Sequence, residues 1–244
     1  MTPLNEHLKY LKLAYFCEYY ESLAKQATKD NHSHVTYLTN LTEGETNLRE
    51  ERAVTRRIQS AKFQVKKTLD QFSWSWPKQI NRQQVQNLFR LQFIEEKSNV
   101  VFLGGAGLGK THLAKALGYE ACLKGYTVLF SDTIDAINVL IAAKKAGRLK
   151  YELNRYLKPQ LLILDELGYL PIDKQGSDLL FQMISHRYER GALIVTSNRA
   201  YKNWGGIFNE DVTLTSAALD RLLHHCETVI VTGRSYRMKD KVET

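Results

Sequence analysis

Five short apolar runs punctuate the chain from residue 100 onward: Val100–Leu103, Thr127–Phe130, Leu161–Leu164, Ala192–Thr196 and Thr228–Val231. Runs this short, closed by turn residues, predict strands buried on both faces. Between them the apolar residues fall at helical spacing. Helices are predicted over His112–Lys124, Asp132–Lys145, Arg148–Leu157, Ser177–Arg190 and Thr215–His225, with Gly125 and Gly147 as stops. Alternating strands and helices predict an α/β fold with a five-stranded parallel sheet between helices. Ligands of such sheets sit at the carboxyl ends of the strands.

The first part of the chain has a different pattern. Leu4, Leu8, Leu11, Tyr15, Tyr19 and Leu23 form one stripe and predict a helix over Leu4–Lys25. A second helix is expected to begin within Val35–Leu41. A long one is expected over Asn47–Leu69, with Leu48, Val54, Ile58, Ala61 and Val65 inward. The aromatic stretch from Phe72 to Trp76, closed by Pro77, reads as an extended linker whose tryptophans pack on the core rather than stack on bases. Asn81–Glu96 reads as a lead-in helix. The expected organisation is a small helical N-terminal domain over 1–70, a linker and lead-in helix over 71–98, and an α/β core over 99–244.

The loop after the first strand carries the chemistry. Gly104, Gly105, Ala106, Gly107, Leu108, Gly109, Lys110 and Thr111 form G-x-x-x-x-G-K-T between a strand and a helix. Its backbone N–H groups and the helix N-terminus suit phosphates. Lys110 is expected to reach the β/γ-phosphates and Thr111 to ligate Mg²⁺. His112 closes the binding segment, with a structural side chain, and the lead-in helix is expected on the adenine side. Asp165 and Glu166 end the Leu161 strand, where a first acid helps hold Mg²⁺ and a second can polarise an attacking water. Asn198, at the tip of the Ala192 strand, is a candidate to hold that water.

Charge adds a second theme. Lys and Arg outnumber Asp and Glu by 34 to 26, a formal net charge of +8, which favours anionic partners. Arg49, Arg52, Arg56, Arg57, Lys62, Lys66 and Lys67 crowd one helical segment, and Lys144, Lys145, Arg148, Lys150 and Arg155 make a second cluster. A solvated helix surface is the alternative in both places; the imbalance of sign in the first favours nucleic acid. Three cysteines, Cys17, Cys122 and Cys226, without a C-x-x-C fit a reducing compartment. No run of apolar residues is long enough to span a membrane, and charges interrupt the first twenty residues, so a cytoplasmic location is expected. His224-His225-Cys226 lacks metal-ligand spacing, because neighbours on a helix diverge by about 100°.

Together these pieces resemble AAA+ ATPases of the IstB/DnaC-like clade, and within it the IstB-like helpers of insertion-sequence transposases. The discriminating segments are Leu164-Asp165-Glu166-Leu167-Gly168-Tyr169-Leu170, Thr196-Ser197-Asn198, Trp204-Gly205, Leu219-Asp220-Arg221-Leu222-Leu223-His224-His225 and Gly233-Arg234-Ser235-Tyr236-Arg237. Gly105-Ala106 departs from the proline-containing loop common in the family. The resemblance implies ATP and Mg²⁺ as cofactors, Asp165 on the metal, Glu166 activating water and Asn198 as first sensor. It implies Arg221 as an arginine finger completing a neighbouring subunit's site, hence a homo-oligomer, and Arg237 as second sensor. It further implies largely sequence-independent binding of duplex DNA and delivery of a partner transposase to target DNA, with Arg52, Arg56, Arg57, Lys62, Lys66, Lys144, Lys145 and Arg148 as candidate phosphate contacts. A DnaC-type replicative helicase loader is the alternative, and a small-molecule kinase a more distant one. Only thirteen residues follow Val231, so no full C-terminal lid is expected.

Overall fold

The computed structural model describes residues 3–76 and 79–236. The chain divides into two compact units, Met1–Arg56 and Arg57–Thr244.

The first unit is helical. The expected single helix over Leu4–Lys25 is two, α1 (Pro3–Tyr10) and α2 (Ala14–Lys29). Lys12 between them is left-handed, with φ 56. The Leu13 N–H turns back onto the Leu8 carbonyl at 2.9 Å, and Arg49 Nη2 donates to the Lys12 carbonyl at 3.0 Å. The apolar stripe runs on across this break, so periodicity alone does not reveal it. The two later helices, in contrast, are one, α3 (His34–Ser60), running through Gly44. A Cβ at Gly44 would stand inside the Tyr15 ring, so glycine here admits close packing. Buried Glu45 binds the Tyr15 N–H at 2.8 Å and Arg49 Nε at 2.6 Å. Burial opposes its ionisation, yet Arg49 and the Tyr15 N–H together hold its carboxyl below the ordinary value.

The second unit begins at Arg57, earlier than residue 70. Lys62, with φ 61, follows the end of α3, and the chain does not continue helically to Leu69. Ala61 and Phe72 are buried, and Ile58, Phe63, Leu69 and Trp74 pack on the same apolar cluster. The Ala61 carbonyl accepts from the Phe130 N–H at 2.9 Å, and Arg57 Nε donates to the Cys122 carbonyl at 3.0 Å. The expected Asn81–Glu96 helix is split into α4 (Arg82–Leu88), capped by Asn81, and α5 (Gln92–Glu95), because Leu91 is left-handed at φ 62.

The sheet consists of β1 (Asn99–Gly104), β2 (Val128–Asp132), β3 (Leu161–Leu167), β4 (Ala192–Ser197) and β5 (Cys226–Val231). All pairings are parallel, in the order β2-β3-β4-β1-β5. Helices α6 (Lys110–Leu123), α7 (Thr133–Lys145), α8 (Leu149–Leu157), α9 (Lys174–Arg187) and α10 (Val212–Leu223) cover it. Side chains alternate along each strand. Val100, Phe102, Ile163 and Ile194 join Leu113 and Leu117 of α6 on one face. Val101, Leu103, Leu162 and Leu164 join α7, α9 and α10 residues on the other. From β1 the chain crosses to β2 at the far edge, past β4 and β3. That reversal opens a crevice at the carboxyl end of β1, where α6 begins.

Candidate nucleotide-binding site

Gly104 ends β1 and Lys110 begins α6, so the intervening loop lies across the carboxyl end of the sheet. Two glycines are sterically required. Gly107 has φ 74, and a Cβ there would collide with the Ser235 hydroxyl. Gly109 has φ 87, and a Cβ would meet the Phe72 ring at 2.6 Å. Lys110, nearly buried, donates from Nζ to the Gly105 carbonyl at 2.7 Å, which holds the ammonium at the loop.

Asp165, buried at the end of β3, gathers hydroxyls. Its Oδ1 accepts from Thr111 Oγ1 at 2.9 Å and from Thr196 Oγ1 at 2.5 Å. Thr133 Oγ1 donates to its main-chain oxygen at 2.7 Å. On the adjacent strand Asp132 lies beside Asp165 in register and caps α7 through the Ile134 N–H at 3.0 Å. Burial raises the Asp132 carboxyl above its ordinary value; the Ile134 N–H opposes this, and Asp135 and Asp165 add to it.

Lys110, Thr111 and Thr196 open on a cavity of about 970 Å³. Ala106 to His112, Glu166, Thr196, Ser197 and Asn198 form part of its wall. Its size suits a nucleotide. Thr111 and Asp165 present hard oxygens close together, a donor set that fits Mg²⁺. The cradle at Gly107 and Gly109, where no Cβ fits, suits phosphates. The lining also includes Val65, Lys66, Lys67, Phe72, Trp76 and Tyr236. The segment after α3 lines the cavity, and the expected Asn81–Glu96 helix does not.

A model of the family of IstB-like ATP binding proteins matches residues 6–244. The chain belongs to that family. It is 39% identical over 241 residues to a protein described as ATP-binding in insertion sequence IS21 of Pseudomonas aeruginosa, covering 99% of this chain and 91% of that one. It is 38% identical over 237 residues to the corresponding protein of IS232 from Bacillus thuringiensis subsp. berliner, covering 97% and 94%. Among solved structures, the DnaC helicase loader aligns over 68% of this chain and 96% of its own, with a TM-score of 0.55 and 24% identity. That likeness is one of fold, the AAA+ P-loop fold.

In this IstB-like chain other expected site residues lie elsewhere. Arg221 does not line the cavity. It sits on α10 near the amino end of the sheet, where Asn99 Nδ2 donates to the Leu222 carbonyl at 2.9 Å. Its Nη1 donates to the Ala217 carbonyl at 2.9 Å, and its guanidinium stacks on Phe181 with 5.1 Å to the ring centroid. Arg237 lies outside the described residues.

The basic residues separate. Arg57 is tied to the Cys122 carbonyl. Lys66 lies over the Tyr119 ring, 4.3 Å from its centroid, and lines the cavity with Lys67. Arg155 pairs with Glu152 at 2.6 Å. Arg52, Arg56, Lys62, Lys144, Lys145 and Arg148 are exposed. His112 Nε2 donates to the Thr68 carbonyl at 2.8 Å, and the ring packs edge-on to Phe72. Burial lowers its pKa; the Thr68 carbonyl opposes that, and Lys67 adds to it. Trp74 packs on Phe72, and Trp76 Nε1 donates to the Arg234 carbonyl at 2.9 Å.

Glu189, absent from any spacing argument, comes within 4.8 Å of His224 and His225; all three are exposed, and the Tyr188 hydroxyl bonds His224 Nδ1 at 2.8 Å. Burial pushes the Cys122 and Cys226 thiols up to about 11, so both stay protonated. No helix among the described residues is long and apolar enough to cross a membrane.

Sequence reasoning quoted Thr196 and Ser197 within a discriminating segment but gave them no role, and it passed over Arg199 and Arg187. Arg199 Nε donates to the Gly168 carbonyl at 2.7 Å. Arg187 is buried, with five hydrogen bonds to the carbonyls of Tyr156, Leu157, Pro159, Gln160 and Ala192. An arginine at the end of an otherwise amphipathic helix reads as a solvated charge. The signal available was Thr196-Ser197, two hydroxyls at the end of a strand buried on both faces.

Proposed function

We propose that this protein is a Mg²⁺-dependent ATPase of the cytoplasm that binds duplex DNA with ATP, assembles there with further copies of itself, and directs its element's transposase to target DNA. The observation that carries the reading is the shared cavity of Lys110, Thr111, Glu166 and Asn198, with the Thr111 hydroxyl 2.9 Å from Asp165. Membership of a family named for ATP binding, with relatives named for insertion sequences, supports it.

In this reading the loop N–H groups and Lys110 hold the β/γ-phosphates, and Thr111 and Asp165 hold Mg²⁺. The ion supplies charge neutralisation at the phosphates when bound. Glu166, on the cavity wall, orients the attacking water and takes its proton; Asn198 holds the same water from β4. Arg221 serves another copy. A strand of six residues spans about 20 Å, so an arginine at the amino end of the sheet cannot reach phosphates at the carboxyl end of its own. Arg237 is assigned a second-sensor role. Exposed Arg52, Arg56, Lys62, Lys144, Lys145 and Arg148 are assigned to DNA phosphates, and Arg57 and Lys66 are withdrawn from that set because of their contacts in the second unit.

The test measures ATP turnover with and without duplex DNA, at several protein concentrations. Turnover that rises with DNA and steeply with protein concentration is expected. No DNA binding at low salt with ATP present sinks the DNA reading, and turnover independent of concentration sinks the shared site. Replacing Lys144, Lys145 and Arg148 together by Glu should weaken DNA binding at every sequence and flatten its salt dependence. Co-purification with a replicative helicase rather than the element's transposase would favour the loader alternative.

A further inference from the structure

Two residues of β3, Asp165 and Glu166, stand opposite one residue of β4, Thr196. Leu164 pairs with Val195, but the next pair is Leu167 with Ser197. This is a β-bulge, a device that re-aims side chains and occurs beside active sites. Glu166 at the bulge is left-handed, with φ 58. A non-glycine residue holds that conformation only where its surroundings impose it.

The surroundings here are side chains of one short segment, Thr196 to Arg199. The Thr196 hydroxyl has one proton, and a carboxylate can only accept, so Thr196 donates to Asp165 Oδ1. Thr196 Oγ1 in turn accepts from the Glu166 N–H at 2.9 Å. Ser197 Oγ donates to the Leu167 carbonyl at 2.7 Å, and Arg199 Nε donates to the Gly168 carbonyl at 2.7 Å. Four consecutive residues, Asp165 to Gly168, are therefore gripped by three side chains flanking Asn198. Thr196 and Ser197 are buried, so water does not compete for these bonds.

We propose that Thr196, Ser197 and Arg199 form a clamp that aims the Glu166 carboxylate, with Thr196 as its principal positioning residue. The inference rests on the ATPase reading above and deepens it. Thr196 touches neither phosphate nor water in this scheme; it acts through Glu166. The clamp also gives Asn198 a mechanical link to the acid. A shift of Asn198 towards the γ-phosphate moves residues on both sides of it, and these hold the main chain of Glu166.

The experiment compares Thr196→Val, Thr196→Ser and Ser197→Ala in the full chain, with turnover, KM, ATP affinity and amide exchange as readouts. T196V keeps the shape and removes the hydroxyl; its kcat should fall about 30-fold with KM and ATP affinity within about two-fold. T196S restores the hydroxyl and should return kcat to within about three-fold of the parent, while S197A should lose about five-fold. In an E166Q background T196V should cost no more than about three-fold, the part that passes through Asp165, because the group it aims is already disabled. The Glu166 amide should exchange about ten-fold faster in T196V, a readout independent of turnover. A parent that hydrolyses ATP alongside a T196V of equal kcat, or an unchanged Glu166 amide, overturns the clamp alone. A parent that hydrolyses no ATP, with DNA present, overturns the ATPase reading and the catalytic purpose of the clamp together. Should T196V fail to fold, full activity in S197A and in Arg199→Gln would overturn the proposal.

Discussion

The two ends of the sheet use polar groups in opposite ways. At the carboxyl end, Thr111 and Thr196 both donate to Asp165 beside a cavity that they line with Lys110, itself bonded to the Gly105 carbonyl. At the amino end, two arginines stand on neighbouring helices with different fates. Arg187 is enclosed and binds five main-chain carbonyls, which closes the end of α8 onto the starts of β3 and β4. Burial pulls its pKa down to about 10, still high enough to keep the charge at neutral pH. Arg221 is half-buried, and its one hydrogen bond among the described residues stays within its own helix. One arginine is committed to its own chain. The other lies on Phe181 and bonds only within its own helix among the described residues. Burial and hydrogen-bond satisfaction, rather than residue type, separate a structural arginine from one that can act on a neighbour.

The largest loss is expected at the phosphate loop. Lys110→Ala should weaken ATP binding by about 100-fold or more, read by titration with a fluorescent nucleotide. Glu166→Gln should leave that affinity intact and lower turnover by about 10²–10⁴-fold. Undiminished turnover in E166Q would send the search for the base elsewhere.

At the other end the two arginines should part. Arg221→Ala should lower turnover by about 10³-fold while leaving thermal stability and ATP affinity near parental. Mixing it with a Lys110 variant should restore some activity, and no recovery in demonstrated mixed oligomers would count against a site shared between copies. Arg187→Ala should instead cost about 3–5 kcal/mol of stability, because carbonyls it satisfied are left buried and unpaired. Denaturant unfolding measures this, and equal stability of the two variants would erase the distinction drawn here.

The smallest effect is in pH. The His112 pKa is lowered in the folded protein from 6.5, so the unfolded chain binds the proton more readily. Its contribution is fully present above 6.5 and is lost as pH falls below that value. Unfolding measured from neutral to mildly acidic pH should show that loss, and His112→Gln should flatten it.

Much of the core was legible because its strands are apolar on both faces and its motif joins one of them to a helix. The same logic failed where long-range contacts override local pattern. Lys12 and Leu91 take left-handed conformations inside stripes that look continuous. Gly44 sits within α3 because the Tyr15 ring needs its space. The segment 61–76 reads as helix and linker, yet Ala61 and Phe72 are buried with the core and the segment walls the cavity. Lys66 shows the same limit within the site, since spacing placed it on a basic face and Tyr119 drew it to the nucleotide cavity.

The sheet, the phosphate loop and the pair Asp165-Glu166 can be read from the chain alone, because hydrophobic period and a contiguous motif are local properties. Only the tertiary structure decided which groups meet. It set Thr196 against Asp165 and Glu166, enclosed Arg187 while leaving Arg221 half-exposed, and brought residues 65–76 over the loop. Those outcomes depend on the order of strands in the sheet and on the bulge in β3. Both arise from packing between segments far apart in the chain, which no local pattern encodes.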